Sequence, residues 1–309
     1  MKYYYRVMLG KGSAFAKECI QDSFIGADFG ITQDLTGKLT DDWRAFNSQF
    51  IPIYRASFPE KTKVAAGLSC GALWTVSIGL KAGDIVISPD GAGHYHVGEV
   101  IGDYFYKPGG ILPHRRQVHW FEKTIERAQM SEALRRSAGS YGTTCNISSY
   151  SNEIESLLGG TPGPEILAGD QSIEDPAAFV MEKHLEDFLV QNWAQTELGK
   201  LYNIYEVDGE LAGQQYQTDT GPIDVLAISK DKKTLLVVEL KKGRASDVVV
   251  GQILRYMGYV QDVLADPGQT VKGVIIALED DQRIRRALAM VPSITFYRYQ
   301  VSFKLVKAS

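Results

Sequence analysis

The sequence predicts an α+β domain followed by an α/β domain with a mixed sheet, and three observations support this prediction. The chain has 309 residues, which is long for a single domain. Residues 159–170, GGTPGPEILAGD, are rich in Gly and Pro and separate two differently patterned halves. The second half alternates helical patterns with short apolar strands, as layered α/β domains do. We therefore expect domains at residues 1–160 and 171–309, joined by a linker at residues 161–170.

The first half contains short strands and two helical patterns. Alternation of apolar residues predicts strands at residues 3–9, 84–88 and 96–101, and helical spacing predicts helices at residues 122–139 and 151–158. The turn residues of 89–93 would join two of these strands in a hairpin. Residues 30–59 are aromatic and polar without a clean period, so no element is predicted there.

The second half has clearer signals. Asp175 followed by Pro176 predicts a helix start, because the side chain can cap the helix and Pro needs no partner for an N–H group. This helix would end near residue 199, and a second helix would span residues 247–265. Strands are expected near residues 202–207, 223–228, 234–240, 273–278 and 294–304. The continuous apolar run before Glu239 is typical of a central buried strand.

Composition limits the class of protein. A hydrophobic content of 44% with 23% charged residues excludes a disordered chain. No apolar run reaches the roughly 18 residues that span a bilayer, so no membrane partner is expected. Three widely spaced cysteines indicate neither a disulfide framework nor a zinc site and favour a cytoplasmic protein. The net charge of −4 argues against an extended basic groove.

Three charged residues in the second half indicate a catalytic site. Asp224 begins one predicted strand, while Glu239 and Lys241 end the next. Residues two apart on a strand share a face, so Glu239 and Lys241 project together and Leu240 points into the core. Neighbouring strands would place Asp224 beside Glu239, and two close carboxylates need a cation between them. Oxygen ligands favour Mg²⁺ or Mn²⁺, which suits phosphodiester hydrolysis. The alternative is that these residues only flank a strand end.

Two helices add candidates to this site. Glu186 lies within the apolar stripe of the first helix, where a lone carboxylate is costly unless it meets a cation or a donor. Its alternative is a side chain at the edge of the stripe that extends into solvent. Gln252 and Tyr256 are four residues apart and therefore share one face of the second helix. Their alternative is an ordinary polar helix flank.

These residues resemble a known family. Asp224, the Glu239-Leu240-Lys241 triplet and the Gln252–Tyr256 spacing resemble the PD-(D/E)XK nuclease superfamily, including its RecB-like branch. Residues 175–285 are similar to the C-terminal domain of NucS-type endonucleases, although Ile rather than Pro precedes Asp224. The resemblance implies a restriction-endonuclease-like α/β/α sandwich with a mixed sheet.

The resemblance also assigns roles to the candidate residues. Ligands of Mg²⁺ (or Mn²⁺) would come from Asp224, Glu239, Glu186 and the carbonyl of Leu240. Lys241 would act on the attacking water or the scissile phosphate. Gln252 and Tyr256 would support the site.

The first half resembles the PUA-like/EVE class of small β-barrels. The similarity lies in residues 74–91, 96–106 and 114–120. Such modules precede nucleases in modification-dependent restriction proteins, where aromatic faces hold an extruded base. The predicted base pocket consists of Phe24, Asp28, Phe29 and Trp43, and the predicted phosphate contact consists of His114, Arg115 and Arg116. The alternatives are aromatic residues in the domain's own core and a solvated strand end.

Together these observations predict a modification-dependent (type IV-like) restriction endonuclease that binds double-stranded DNA carrying a modified base. One site in each chain implies a homodimer for double-strand cleavage. A first alternative is a NucS-like repair endonuclease for mismatched or branched DNA. A second is a non-catalytic nucleic-acid reader with an inactive nuclease fold.

Overall fold

The computed structural model describes residues 2–159 and 185–300. The predicted linker at residues 161–170 and the predicted helix start at Asp175 lie outside the described residues. The chain divides into two compact units, Met1–Gln171 and Ser172–Ser309.

The first unit is built on a six-stranded sheet. Its strands are β1 (Tyr4–Val7), β2 (Phe24–Ala27), β3 (Ile85–Pro89), β4 (His94–Tyr106), β5 (His114–Glu126) and β6 (Thr144–Asn146). Their order is β2-β5-β4-β3-β1-β6, and all neighbours are antiparallel except the parallel pair β1 and β3. The predicted hairpin between β3 and β4 is confirmed, since the Asp90 N–H donates to the His94 carbonyl at 3.0 Å.

Helices and apolar clusters cover both faces of this sheet. The helices are α1 (Ala16–Gln21), α2 (Trp43–Ser57), α3 (Lys63–Trp74), α4 (Glu132–Ala138) and α5 (Ser151–Leu157). Alternation along β3 places Ile85 and Ile87 in a cluster with Leu134 of α4 and Ile154 of α5. Val86 points to the opposite face, into the cluster that includes residues of α1.

The closed barrel implied by the PUA-like resemblance is not confirmed. Strand pairing runs along one path from β2 to β6, and within residues 2–159 no pair joins the two ends. The two longest strands, β4 and β5, are neighbours in this path. They keep pairing through two register shifts, which lets the long hairpin bend.

Two parts of the first unit differ from the sequence prediction. Residues 122–126 continue β5 and are not helical, because Ile125 pairs with Tyr95 and is buried in the core. The segment without a clean period contains α2, whose start is capped by the Asp42 carboxylate through the N–H groups of Arg44 and Ala45. Pro52 inside α2 weakened the helical signal in the sequence.

The second unit is a mixed sheet. Its strands are β7 (Tyr202–Ile204), β8 (Glu206–Val207), β9 (Glu210–Leu211), β10 (Gln214–Thr218), β11 (Gly221–Ser229), β12 (Thr234–Arg244), β13 (Thr270–Glu279) and β14 (Ile294–Arg298). The main order is β10-β11-β12-β13-β14, with β7 also on β11 and with β8 and β9 as a separate pair. Strands β12, β13 and β14 are parallel, and the other pairs are antiparallel.

Helices lie on both faces of the second sheet. They are α6, described over residues 185–191, α7 (Glu197–Leu201), α8 (Val248–Tyr259) and α9 (Gln282–Ala289). Leu198 of α7 and Leu185 of α6 pack with Val238 on one face. Met257 of α8 approaches Gly273 on the other, where a side chain at Gly273 would collide with it. This arrangement confirms a layered α/β unit with a mixed sheet. No helix in the described parts of the chain is both long and apolar enough to cross a bilayer.

Candidate active site

Asp224 and Glu239 lie side by side on one face of the second sheet. Val225 of β11 pairs with Val238 of β12, so the antiparallel register sets Asp224 opposite Glu239. Val225, Val238 and Leu240 all belong to the apolar cluster on the other face. The prediction that Leu240 points into the core, away from Glu239, is therefore confirmed.

Glu239 is a buried carboxylate with a cationic neighbour. Its exposed fraction is 2%, and its Oε1 lies 3.2 Å from Nζ of Lys241. Burial of an ionised carboxylate is costly, and an ion pair offsets part of that cost. The side chain of Lys241 keeps 26% exposure, so it is accessible from solvent. Sequence spacing alone had placed both residues on one face, as the structure does.

Hydrogen bonds fix the orientation of the Asp224 carboxylate. Its Oδ2 accepts the backbone N–H of Leu240 at 2.8 Å. Its Oδ1 accepts the side-chain amide of Gln215 at 3.2 Å. One bond comes from β12 and the other from β10, so the strands on both sides of β11 hold Asp224 in place.

Glu186 of α6 joins the same network. It is 3% exposed, and its Oε1 accepts Nε2 of Gln214 at 2.7 Å, while its Oε2 accepts Nε2 of Gln215. Gln214 also donates to Asp187 at 3.0 Å. Glu186 is therefore buried and meets hydrogen-bond donors, one of the two kinds of partner that its place in the apolar stripe requires, and its role as a metal ligand stays a prediction.

The two glutamines were missed by sequence reasoning. They begin β10, a short strand of mostly polar residues, QQYQT, that carries little apolar pattern. A signal was nevertheless present, because a carboxylate within an apolar helix stripe requires donors from another element. The sequence does not show which element supplies them.

Gln252 and Tyr256 of α8 lie near the carboxylates. Nε2 of Gln252 donates to Oη of Tyr256 at 3.4 Å. Burial, together with the negative charges of Glu239 and Asp224, raises the pKa of Tyr256 to about 12. Tyr256 therefore remains protonated at neutral pH.

The donor set fits a divalent cation with hard-ligand preference. Two carboxylates from neighbouring strands and the adjacent Leu240 carbonyl offer oxygen atoms only. Within residues 2–159 and 185–300, no three His, Cys, Asp or Glu side chains form a ready cage for a metal. Mg²⁺ commonly binds proteins through one or two carboxylates and keeps several waters. Asp224 and Glu239 would be those two ligands.

The phosphate contact predicted in the first unit is corrected. His114, Arg115 and Arg116 are buried, with exposures of 0%, 4% and 5%. Arg115 donates to the Leu112 and Ile111 carbonyls, and burial lowers its pKa. Arg115 thus satisfies backbone carbonyls inside the fold, and burial keeps all three side chains away from DNA phosphates.

His114 and Arg116 show the same structural use. His114 bonds the Tyr104 hydroxyl at 2.9 Å and the Ile31 carbonyl at 2.6 Å. Arg116 donates to the carbonyls of Ser77, at 3.2 Å, and Leu80. The sequence suggests a solvated basic cluster because it does not reveal that β5 lies between β2 and β4 in the sheet.

The predicted base pocket is only partly accessible. Phe24 is 2% exposed, and the Arg115 guanidinium lies 3.7 Å from its ring centroid, which corrects its assignment as a pocket edge. Asp28 is exposed and accepts the Gly30 N–H at 3.0 Å, and Phe29 is half-buried. Trp43 is half-buried and packs edge-on against Trp74, with centroids 5.0 Å apart. Base binding by Asp28, Phe29 and Trp43 stays a prediction.

The two halves of the chain match two different protein-family models. The model of the endonuclease NucS C-terminal domain matches residues 182–293. A domain of unknown function, DUF8426, matches residues 5–146. The expected similarity of the second half to NucS-type nucleases is thereby confirmed. The PUA-like/EVE resemblance of the first half gains no support. No curated protein matches the chain.

Solved structures with a detectable likeness are distant. The EndoMS–dsDNA2 complex shows 12% identity and a TM-score of 0.32, over 68% of this chain and 62% of that chain. A repair endonuclease from Pyrococcus abyssi shows 15% identity and a TM-score of 0.31, over 69% of this chain and 66% of that chain. EndoMS in its apo form shows 13% identity and a TM-score of 0.31, over 68% of this chain and 62% of that chain. The chain thus covers less than two thirds of the length of these structures.

Proposed function

We propose that this protein is a metal-dependent DNA endonuclease that hydrolyses phosphodiester bonds at the Asp224–Glu239–Lys241 site. The observation that carries the proposal is the opposition of Asp224 and Glu239 on one sheet face, with Lys241 ion-paired to Glu239 at 3.2 Å. The match of residues 182–293 to the NucS C-terminal domain supports the same conclusion independently of this geometry.

Each residue of the site has a role that its contacts support. Asp224 and Glu239 would hold Mg²⁺ or Mn²⁺, which supplies Lewis-acid stabilisation of charge on the reacting phosphate. Lys241 carries a positive charge that is partly exposed beside them, so it can stabilise a negative phosphate oxygen or orient a water. Gln252 and Tyr256 would support the site from α8 as neutral donors.

The substrate that we propose is double-stranded DNA with a mismatch or a branch. The match to an endonuclease NucS domain favours this NucS-like repair function over modification-dependent restriction. Modified-base recognition rested on a pocket and a basic cluster in the first unit, and the burial of Phe24, Arg115 and Arg116 removes part of that set. Recognition of a modified base is retained as an alternative outcome of the cleavage test.

A homodimer is part of the proposal, because one site in each chain cuts one strand. Two copies on one duplex would produce a double-strand break. A protein held monomeric by dilution should therefore only nick a plasmid. Double-strand breaks from a demonstrated monomer would contradict this part of the proposal.

A cleavage panel tests the substrate and the metal together. It presents plain, mismatched, branched, methylated and hydroxymethylated duplexes with Mg²⁺, with Mn²⁺ or with a chelator, at a fixed salt concentration. We expect cleavage of mismatched or branched DNA with either ion and none with the chelator. Preferential cleavage of the cytosine-modified duplexes would overturn the proposed substrate, and cleavage in the chelator would overturn the proposed chemistry.

A further inference from the structure

Gln215 lies between the helix carboxylate and the strand carboxylate of the site. Its single amide nitrogen donates to Oε2 of Glu186 and, at 3.2 Å, to Oδ1 of Asp224. Ionised carboxylates can only accept hydrogen bonds, so the amide must present its NH₂ group and not its oxygen to them. One side chain thus links α6 to β11 through two charged acceptors.

The position of Gln215 follows from the sheet register. Gln214 pairs with Val225 and Tyr216 pairs with Ile223, which sets Gln215 across from Asp224. Asp224 in turn lies across from Glu239, so the three residues form a row over β10, β11 and β12. Gln215 is therefore the neighbour of Asp224 on the side opposite Glu239.

The backbone at Gln215 supports a special role for its side chain. Its φ of 52° lies in the left-handed region, which is unfavourable for a residue other than Gly. Residues held in such conformations cluster at functional sites, where surrounding contacts enforce them. At Gln215 the surrounding contacts are the two hydrogen bonds of its side chain, to Glu186 and to Asp224.

We propose that Gln215 is a positioning residue that orients the Asp224 carboxylate for a divalent cation. This inference rests on the proposed function, because it assumes that Asp224 binds the ion. With the Leu240 N–H on Oδ2 and the Gln215 amide on Oδ1, both oxygens of Asp224 are held in a fixed orientation. Partners of this kind in the outer shell of metal sites affect metal affinity by roughly 10- to 100-fold.

Titration of the full-length protein with Mn²⁺ alone tests the inference. Gln215→Met keeps the side-chain length and removes the donors, and Gln215→Ala serves as a second variant. Gln269→Met is the matched control, because Gln269 also makes two hydrogen bonds, to Lys232 and Asp266, but is placed before β13 and away from the carboxylates. Circular dichroism confirms that each protein is folded.

We expect the dissociation constant for Mn²⁺, measured by calorimetry, to rise roughly 10- to 100-fold in both Gln215 variants and to stay unchanged in the control. The Mg²⁺ concentration for half-maximal cleavage should rise in parallel. A merely structural role would lower the rate at every Mg²⁺ concentration without this shift.

Two results would overturn the proposals and are distinguishable. Wild-type affinity for Mn²⁺ in both folded Gln215 variants would refute the role of Gln215 and leave the nuclease function intact. Absence of both Mn²⁺ binding and cleavage in the wild-type protein would refute the proposed function itself.

Discussion

Replacement of Arg116 by Met tests whether the basic residues of β5 serve the fold or the DNA. In the structure, Arg116 is 5% exposed and donates to the carbonyls of Ser77 and Leu80. Methionine fills a similar volume but donates nothing, so two buried carbonyls lose their charged donor. Each buried polar group left without its partner costs about 1–3 kcal/mol, so for two carbonyls we expect the free energy of unfolding to fall by about 2–6 kcal/mol.

The assay is urea unfolding combined with DNA binding over a range of salt concentrations. Lys17→Met on the exposed side of α1 is the control, and it should change the free energy of unfolding by less than about 0.5 kcal/mol. If Arg116 contacted a phosphate, its loss would reduce the slope of log affinity against log salt by about 0.9 and leave stability nearly unchanged. That pattern would refute the structural role assigned here.

Three further predictions concern charge, protonation and backbone geometry. Lys241→Met should lower the cleavage rate roughly 100- to 1,000-fold while duplex binding is retained, as measured in single-turnover and binding assays, and an unchanged rate would contradict its role. Burial lowers the pKa of His114, so below about pH 6.5 the unfolded chain binds more protons than the folded chain, and stability falls as pH decreases. The His114→Gln substitution should therefore shrink the difference between the unfolding free energies measured at pH 5 and at pH 7.5. An undiminished difference would contradict this linkage. Gly221 has a φ of 120°, and an added Cβ would lie 3.1 Å from Oη of Tyr256. The Gly221→Ala substitution should therefore lower the free energy of unfolding by about 1–3 kcal/mol, as measured by thermal or urea unfolding. A neutral effect would argue against this packing.

The second unit was largely predictable because its strands are marked by continuous apolar runs. The run before Glu239 forms the central strand β12, and the two-residue alternation set Glu239 and Lys241 on the face opposite Leu240. Helix α8 likewise followed from apolar spacing. These signals are local, so a single sequence contains them.

The first unit was less predictable because its decisive contacts are distant in sequence. Whether Arg116 is exposed depends on β5 lying between β2 and β4 and on carbonyls 36 and 39 residues away. The strand at residues 122–126 also depends on pairing with β4, which overrides its local helical spacing. For the same reason the Gln215 contact to Glu186, 29 residues away, was not foreseen.

The most direct test of the central claim is Mg²⁺-dependent cleavage of a mismatched duplex by Glu239→Gln, in parallel with the wild-type protein. The substitution keeps the shape of the side chain and removes the charge that pairs with Lys241 and would bind the cation. We predict that the folded variant still binds the duplex and loses cleavage by at least ~100-fold, because the metal's stabilisation of the reacting phosphate is worth several kcal/mol. Cleavage at the wild-type rate would contradict the assignment of the active site.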